Sequence, residues 1–434
     1  MAEASFAPRS EIRAAQLARV QSLLAALIPA NRFYSKKLQA AGIERTVSSL
    51  DEFSARVPFT TKQELADDQR AFPLYGSNLT FPLDCYTRLH QTSGTSGTPI
   101  RWLDTSESWN TMIGIWEEVF AAAGLSRGDR VFFAFSFGPF IGFWLAFEAA
   151  AKIGCLCIAG GGMSSAGRVR AILDHQATVL CCTPTYAMHL AEVAREENLN
   201  LSASRVRTIL VAGEPGGSLP ATRERLASYW PGAHVFDHHG MTEVGPVTFE
   251  CPARPCVLHI AEPAYFAESI DPESGKSSAP GQIGELVLTT LGRTGSPLVR
   301  YRTGDLVKFG QPTNNEGALC VCGRHSTTLI GGIVGRADDM VVVRGVNVFP
   351  SAIEEIVRAQ REVVEYRVQV SARSALTELS IEVEVGEDAP EPAKVVSRLE
   401  KSLNQTLALR VPVRLVPKGS LPRFELKSKR WVKI

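Results

Sequence analysis

Net charge is nearly absent from this chain. Its 46 lysines and arginines face 45 aspartates and glutamates, a formal net charge of +1, so there is no broad electrostatic footprint for nucleic acid or an anionic membrane surface. Long uninterrupted apolar runs are scarce too. Residues 131–151 come nearest, but Gly138-Pro139 breaks the run and Glu148 interrupts it, which suits strand–turn–helix better than a membrane span. The start does not read as an export signal: Glu3 and Glu11 precede a short apolar stretch, 23–28, that Pro29 closes, where a signal peptide has a basic start and a longer apolar core. We therefore expect no nucleic-acid partner, no membrane attachment and a cytoplasmic location. Nine cysteines in a long chain without such a signal do not make a secreted disulfide framework. Cys85, Cys155, Cys157, Cys181 and Cys182 sit mostly in apolar context and read as reduced core residues. No internal repeat or low-complexity tract is visible.

What is present is ordinary globular composition, 45% apolar and 21% charged over 434 residues, a length suited to two domains. Helical spacing begins at 11–27. From about 130 to 240, short apolar runs (131–135, 155–158, 178–182, 208–211, 234–236) alternate with amphipathic stretches (141–152, 165–175, 185–196, 220–230). Strand and helix in turn predict an α/β fold with parallel strands and covered faces. Beyond residue 251 the pattern changes to short strands, 286–290, 298–301, 306–309 and 319–322, as in a β-rich subdomain. After residue 335 a compact α+β pattern follows: strand 340–343, helix 350–359, strands 364–371 and 379–385, helix 392–407, strand 411–415. We place the boundary at 336–338, giving a large domain, 1–337, and a small one, 338–434, of a size that folds alone.

The strongest local signal is Gln91-Thr92-Ser93-Gly94-Thr95-Ser96-Gly97-Thr98-Pro99. Glycines allow close backbone approach, and exposed N–H groups with several hydroxyls suit phosphate oxygens. No Gly-Lys-Ser/Thr follows at Walker spacing. Other segments complete a pattern: HHGMTEVG at 238–245, YRTGDL at 301–306, GRADDMVVVRGVNVFPSAIEE at 335–355 and LPRFELKSKR at 421–430. In that order they resemble the motifs of the superfamily of acyl-CoA synthetases, peptide-synthetase adenylation domains and luciferases. The short length and the wording RGVNVFPSAIE resemble its phenylacetate–CoA ligase branch.

The resemblance implies an adenylate-forming enzyme that uses ATP and Mg²⁺ to activate a small carboxylic acid, then transfers it to coenzyme A. It implies nucleotide contacts from Ser93, Gly94, Thr95, Ser96 and Gly97, from Gly213, Glu214 and Pro215, and from Asp237, His238, His239, Gly240, Met241 and Thr242. By the same resemblance Glu243 holds Mg²⁺, Thr242 meets the α-phosphate, Asp305 and Arg336 reach the ribose, and Lys427 is the catalytic cation. Asp338 is the implied hinge, and Gly345 the implied passage for pantetheine. The chain departs from the pattern at Leu426, where glycine is usual before the lysine, at Thr98, where lysine is common, and at His239, where tyrosine is usual. Phe135, Phe137, Phe140, Phe143 and Trp144 follow a strand that lines the acyl pocket in this family. Most read as core, and Phe140 and Gly142 as pocket wall, favouring a flat aromatic or small apolar acid.

Cys251, Cys256, His259, Cys320 and Cys322 offer soft ligands at zinc-like spacing. Five candidates exceed the four of a tetrahedral site. By resemblance one cysteine pairs with the histidine, giving Cys251, His259, Cys320 and Cys322 for a structural Zn²⁺, with Cys256 against His259 left open. Also open are a homodimer and a carrier protein or amine as acceptor. A non-catalytic nucleotide-binding or zinc-stabilised interaction protein is the reading from another class, disfavoured by Glu243, Asp305 and Lys427 standing together.

Overall fold

The computed structural model describes residues 6–43, 46–92, 99–310, 320–344, 346–373, 376–386, 389, 391–424 and 428–434. They form two compact units, Met1–Gly161 with Asp237–Gly332, and Gly162–Phe236 with Ile333–Ile434.

The first unit opens with helices Arg9–Leu27, Arg32–Ala40 and Leu50–Arg56, which bury Leu24, Leu27, Leu38 and Phe53 in one cluster with Phe266 and Val299. A parallel strand pair, Arg130–Phe133 and Leu156–Ala159, is joined through helix Trp144–Ile153; this is the βαβ crossover that alternating apolar runs demand. The β-rich part is antiparallel. Tyr265–Ile270, Ile283–Thr290 and Tyr301–Phe309 form a meander. Thr248–Cys251 pairs with Arg254–Ile260, which pairs in turn with residues 328–330.

In the second unit Val179–Cys182 and Thr208–Val211 are again parallel, with helix Pro184–Glu196 between them. The C-terminal part is a four-stranded sheet in the order Val413–Leu415, Leu376–Val385, Val363–Arg373, Trp431–Lys433. Its centre is antiparallel and its two edges are parallel. Helices Pro350–Arg358 and Pro392–Leu407 supply Ile353, Val357, Leu399 and Leu403 to a core with Val368 and Ile381, all 0% exposed. Among the described residues no helix is long and apolar enough to cross a membrane.

The predicted helices and parallel strands match the observed ones to within a few residues, and three differences are informative. Residues 298–301 and 306–309 are not separate strands. Tyr301–Phe309 is one strand, with a register shift in its pairing to the neighbouring strand and Gly304 at φ +75°, so Asp305 stands on a bulged strand rather than in a turn. Residues 320–322 form a turn, closed by the Gly323 N–H donating to the Cys320 carbonyl at 2.7 Å. The strands at 248–270 were not legible because Arg254, Pro255 and Glu268 interrupt alternation; cross-strand pairing overrides local pattern there. Cys85, expected in the core, is exposed in a 3₁₀ turn.

Candidate active site

Residues 238–246 close a tight hairpin. Gly240-Met241 pairs antiparallel with Gly245-Pro246, leaving Thr242, Glu243 and Val244 as the turn. Glycine is required at 240, because a Cβ there would lie 2.7 Å from the Gly245 carbonyl oxygen. The turn is held by Arg293, whose Nη1 donates to the carbonyls of Thr242 (3.0 Å) and Glu243 (2.8 Å). Its Nε and Nη2 donate to both Asp104 oxygens at 2.6 Å, and the two side chains are 2% and 0% exposed. Asp104 belongs to strand Arg101–Thr105, which follows the Gly/Ser/Thr segment. Ser93, Gly94, Thr95, Ser96 and Gly97 lie outside the described residues. Their flanks are joined: the Thr92 N–H donates to the Ile100 carbonyl at 2.9 Å, and the Ile100 N–H to Thr92 Oγ1 at 3.0 Å.

Strand Tyr301–Phe309 delivers two side chains to this region. The Tyr301 hydroxyl donates to Glu243 Oε1 at 3.1 Å, and Asp305 Oδ2 lies 2.9 Å from His239 Nε2. His239 also donates its N–H to Thr248 Oγ1 at 3.0 Å. Its buried Nδ1 has no hydrogen-bond partner among the described residues, and an unmade buried bond costs about 1–3 kcal/mol. His238 points elsewhere. It is buried against Trp116, 4.3 Å between ring centroids, and bonds the Thr248 carbonyl through Nδ1. Burial holds its pKa down to about 3, so it is a neutral core imidazole. The Asp237 N–H donates to Glu250 at 2.8 Å.

The rings after strand Arg130–Phe133 pack on one another. Phe135 meets Phe137 and Phe143 edge-on at 5.8 and 5.7 Å, and Phe137 meets Trp144 at 4.8 Å, geometry suited to aromatic quadrupoles. Phe140 is half-buried and Gly142 exposed. Gly142 has φ +36°, and a Cβ there would lie 2.3 Å from the Phe135 ring.

In the second unit Gly213 and Pro215 are exposed, and Glu214 is half-buried. Arg336 donates to Asp338 through Nε (2.9 Å) and Nη2 (3.1 Å), so the expected ribose ligand and the expected hinge residue are ion-paired. Gly345 and Lys427 lie outside the described residues.

A second cluster is fully assembled. The ligand atoms of Cys251, His259, Cys320 and Cys322 all lie within 4.8 Å of one another. Cys251 and Cys320 sulfurs are 3.6 Å apart, and Cys322 Sγ is 3.3 Å from His259 Nε2. Ser326 Oγ lies 2.9 Å from His259 Nδ1, which leaves Nε2 facing the sulfurs. Burial, followed by Arg324 and Arg254, pushes the His259 pKa down to about 4, the neutral form that a metal takes. Cys256 is not in the cluster. Its backbone turns to φ +62°, and its N–H donates to Glu250 at 2.7 Å.

The chain is also similar in sequence to proteins of known family. The model of the AMP-binding enzyme family matches residues 40–293, and that of the AMP-binding enzyme C-terminal domain matches 345–433. The phenylacetate-coenzyme A ligase of Thermus thermophilus is 30% identical over 438 residues, covering 96% of this chain and 95% of the relative. The chain belongs to the AMP-binding enzyme family, on its phenylacetate–CoA ligase branch. Another family member, the phenylacetate-coenzyme A ligase of Escherichia coli K12, is 30% identical over 433 residues, 97% of this chain and 94% of its own. Among solved structures, a 2-hydroxyisobutyryl-CoA ligase in the postadenylation state with R3-HIB-AMP superposes with TM-score 0.91 at 29% identity, covering 98% of this chain and 90% of that one. The same ligase with 2-HIB-AMP and CoA in the thioesterification state gives 0.72, with the same identity and coverage.

Arg293 and Asp104 escaped the reading of this family member's sequence, since neither stands in a recognised motif and no periodicity links them. The one available signal was an arginine beside turn residues in Gly292-Arg293-Thr294-Gly295. Arg293→Met leaves Asp104 buried without its partner, and we expect a loss of about 3–5 kcal/mol. Denaturant unfolding measures it; a change within about 0.5 kcal/mol would show that the brace is dispensable.

Proposed function

We propose that this chain activates a small, flat carboxylic acid with ATP and passes the acyl group to coenzyme A. In the first half-reaction the substrate carboxylate oxygen attacks the α-phosphorus, and the bond to pyrophosphate breaks. In the second, the CoA thiolate attacks the acyl carbon, and AMP leaves. The observation that carries this reading is the braced turn, with Thr242 and Glu243 held by Arg293 and Glu243 met by Tyr301, while Asp305 and His239 stand together alongside. Asp305 accepts from the ribose hydroxyls and His239 lies beside adenine, where its unpartnered Nδ1 gains a bond. The Glu243 carboxylate is the hard oxygen donor that Mg²⁺ takes; bound there, the ion would neutralise phosphate charge. Phe140 and Gly142 wall the acyl pocket beside a ring cluster that suits an aromatic acid. The enzyme is proposed to act in the cytoplasm.

Lys427 is the cation that brings carboxylate and α-phosphate together. Given ATP, CoA and a series of aromatic and aliphatic acids, the wild-type chain should release pyrophosphate and form acyl-CoA best with an aromatic acid. Lys427→Ala should lower acyl-adenylate formation by at least about a hundredfold while thioester formation from supplied acyl-adenylate survives. Equal loss in both steps sinks the assignment.

One site cannot present Lys427 and admit CoA at once, so residues 338–434 are proposed to swing about Asp338. Asp338→Pro fixes φ near −65° and removes the pair with Arg336. One half-reaction should persist and the other fail; both at wild-type rates would exclude Asp338 as the pivot.

Cys251, His259, Cys320 and Cys322 would hold a structural Zn²⁺, three sulfurs and one nitrogen filling its four positions. Such an ion would cross-link the strands at 251 and 259 to the turn at 320–322. Protein purified without added metal should contain about one zinc per chain, and Cys322→Ser should lower both zinc content and thermal stability. Zinc-free protein of undiminished stability would refute it.

A further inference from the structure

Residues 428–433 are fastened to the start of helix Pro184–Glu196, and part of the fastening runs through Glu214, a residue expected at the nucleotide. The first turn of that helix has its donors fully accounted for. Pro184 has no N–H, the Tyr186 N–H donates to Thr183 Oγ1 at 3.2 Å, and the Ala187 N–H donates to the Thr183 carbonyl at 3.0 Å. The remaining donor, the Thr185 N–H, reaches Glu214 Oε1 at 2.8 Å. The other Glu214 oxygen, Oε2, accepts from the Ser428 N–H at 2.9 Å. One carboxylate thus joins a helix N-terminus, where negative charge is favoured, to the residue that follows Lys427 in the chain.

A second anchor lies two residues on. Arg430 is 4% exposed, donates to Glu365 through Nε (2.6 Å) and Nη2 (3.1 Å), and reaches Thr185 Oγ1 through Nη1 at 3.3 Å. Beyond it, Trp431–Lys433 pairs in parallel with Val368–Val370. Thr185 is therefore gripped twice, its N–H through Glu214 and its hydroxyl by Arg430. The Arg430 anchor belongs to the C-terminal sheet itself. The Glu214 anchor is different, because it holds main chain next to the lysine by a single charged acceptor.

We infer that Glu214 is a positioning residue for the first half-reaction, latching the lysine-bearing segment to the start of helix Pro184–Glu196. This rests on the reading of Lys427 as the adenylation cation. Both Glu214 oxygens are occupied by backbone N–H groups, so in this arrangement its work is to place a segment. Hydrogen bonds to an ionised acceptor are stronger than neutral ones, and a lysine displaced by as little as about 1 Å loses much of its effect. When residues 338–434 turn for thioester formation the Ser428 bond breaks, and Glu214 keeps its bond to Thr185.

Glu214→Gln preserves shape and one acceptor but presents an NH₂ group to one of the two donors. In the full chain without substrates, amide hydrogen exchange at Ser428 should quicken while the sheet amides of 363–373 stay protected. Steady-state ATP–pyrophosphate exchange should show kcat reduced on the order of tenfold at unchanged KM for ATP, with thioester formation from supplied acyl-adenylate at the wild-type rate. A raised KM for ATP with intact kcat would make Glu214 a nucleotide ligand and overturn the latch. So would equal loss in both half-reactions, or unaltered Ser428 exchange. Ser428→Pro removes the donor from the other side and leaves the helix start intact; in its background Glu214→Gln should lower adenylation no further, and an additive loss also overturns the inference. If the wild-type chain adenylates no acid, the functional reading fails, while the exchange measurement still decides the anchor.

Discussion

A guanidinium between Asp104 and the 242–243 turn holds that turn of the first unit in register with strand Arg101–Thr105. Arg293 and Asp104 are 189 residues apart in sequence, yet their ion pair is bidentate and almost wholly buried. Only arginine suits this position. Its planar fork gives two parallel bonds to a carboxylate and still directs Nη1 to two carbonyls, where a lysine would offer a point charge to one of them. Removing two charges from water is costly unless every donor finds an acceptor, and here the acceptors are the turn itself. The strand after the Gly/Ser/Thr segment and the turn carrying Thr242 and Glu243 therefore move together or not at all.

The second unit uses the same economy of buried charge near the end of the chain. Burial alone would raise the Glu354 carboxyl, but Arg430 and Arg358 overcome it and hold its pKa at about 2. Arg430 also serves Glu365, and its guanidinium lies 5.1 Å from the Tyr366 ring centre. Such a network adds less to stability than an apolar core would. It does specify one seating for Trp431–Lys433 beside Val368–Val370.

Much of the fold was legible because its signals are local. Apolar runs of four to five residues between amphipathic stretches are satisfied by buried parallel strands with covering helices, as in the strands at 131, 179 and 208, whereas Leu156–Ala159 is parallel but lies more exposed at a sheet edge. The antiparallel part was read less well. Strands such as Arg254–Ile260 carry proline, arginine and histidine and exist because partners three to seventy-three residues away complete their pairing. The bulge at Gly304 was invisible for the same reason: two short apolar runs look alike whether a turn or a bulged strand joins them.

By itself the sequence determined the α/β class, the order of motifs that marks the family, and the residue types from which the proposed site is drawn: Glu243, Asp305, Lys427, and cysteines with a histidine. These are properties of neighbours along the chain. Tertiary structure alone decided which of two adjacent histidines meets Asp305 and which is core, since Asp305 and Trp116 come from distant segments and each receives one imidazole. It also chose His259 over Cys256 for the sulfur cluster, gave Arg293 its place beneath the turn, and brought Glu214 to Ser428. Each of those outcomes depends on where distant segments cross, and burial and hydrogen-bond satisfaction are settled only when they do.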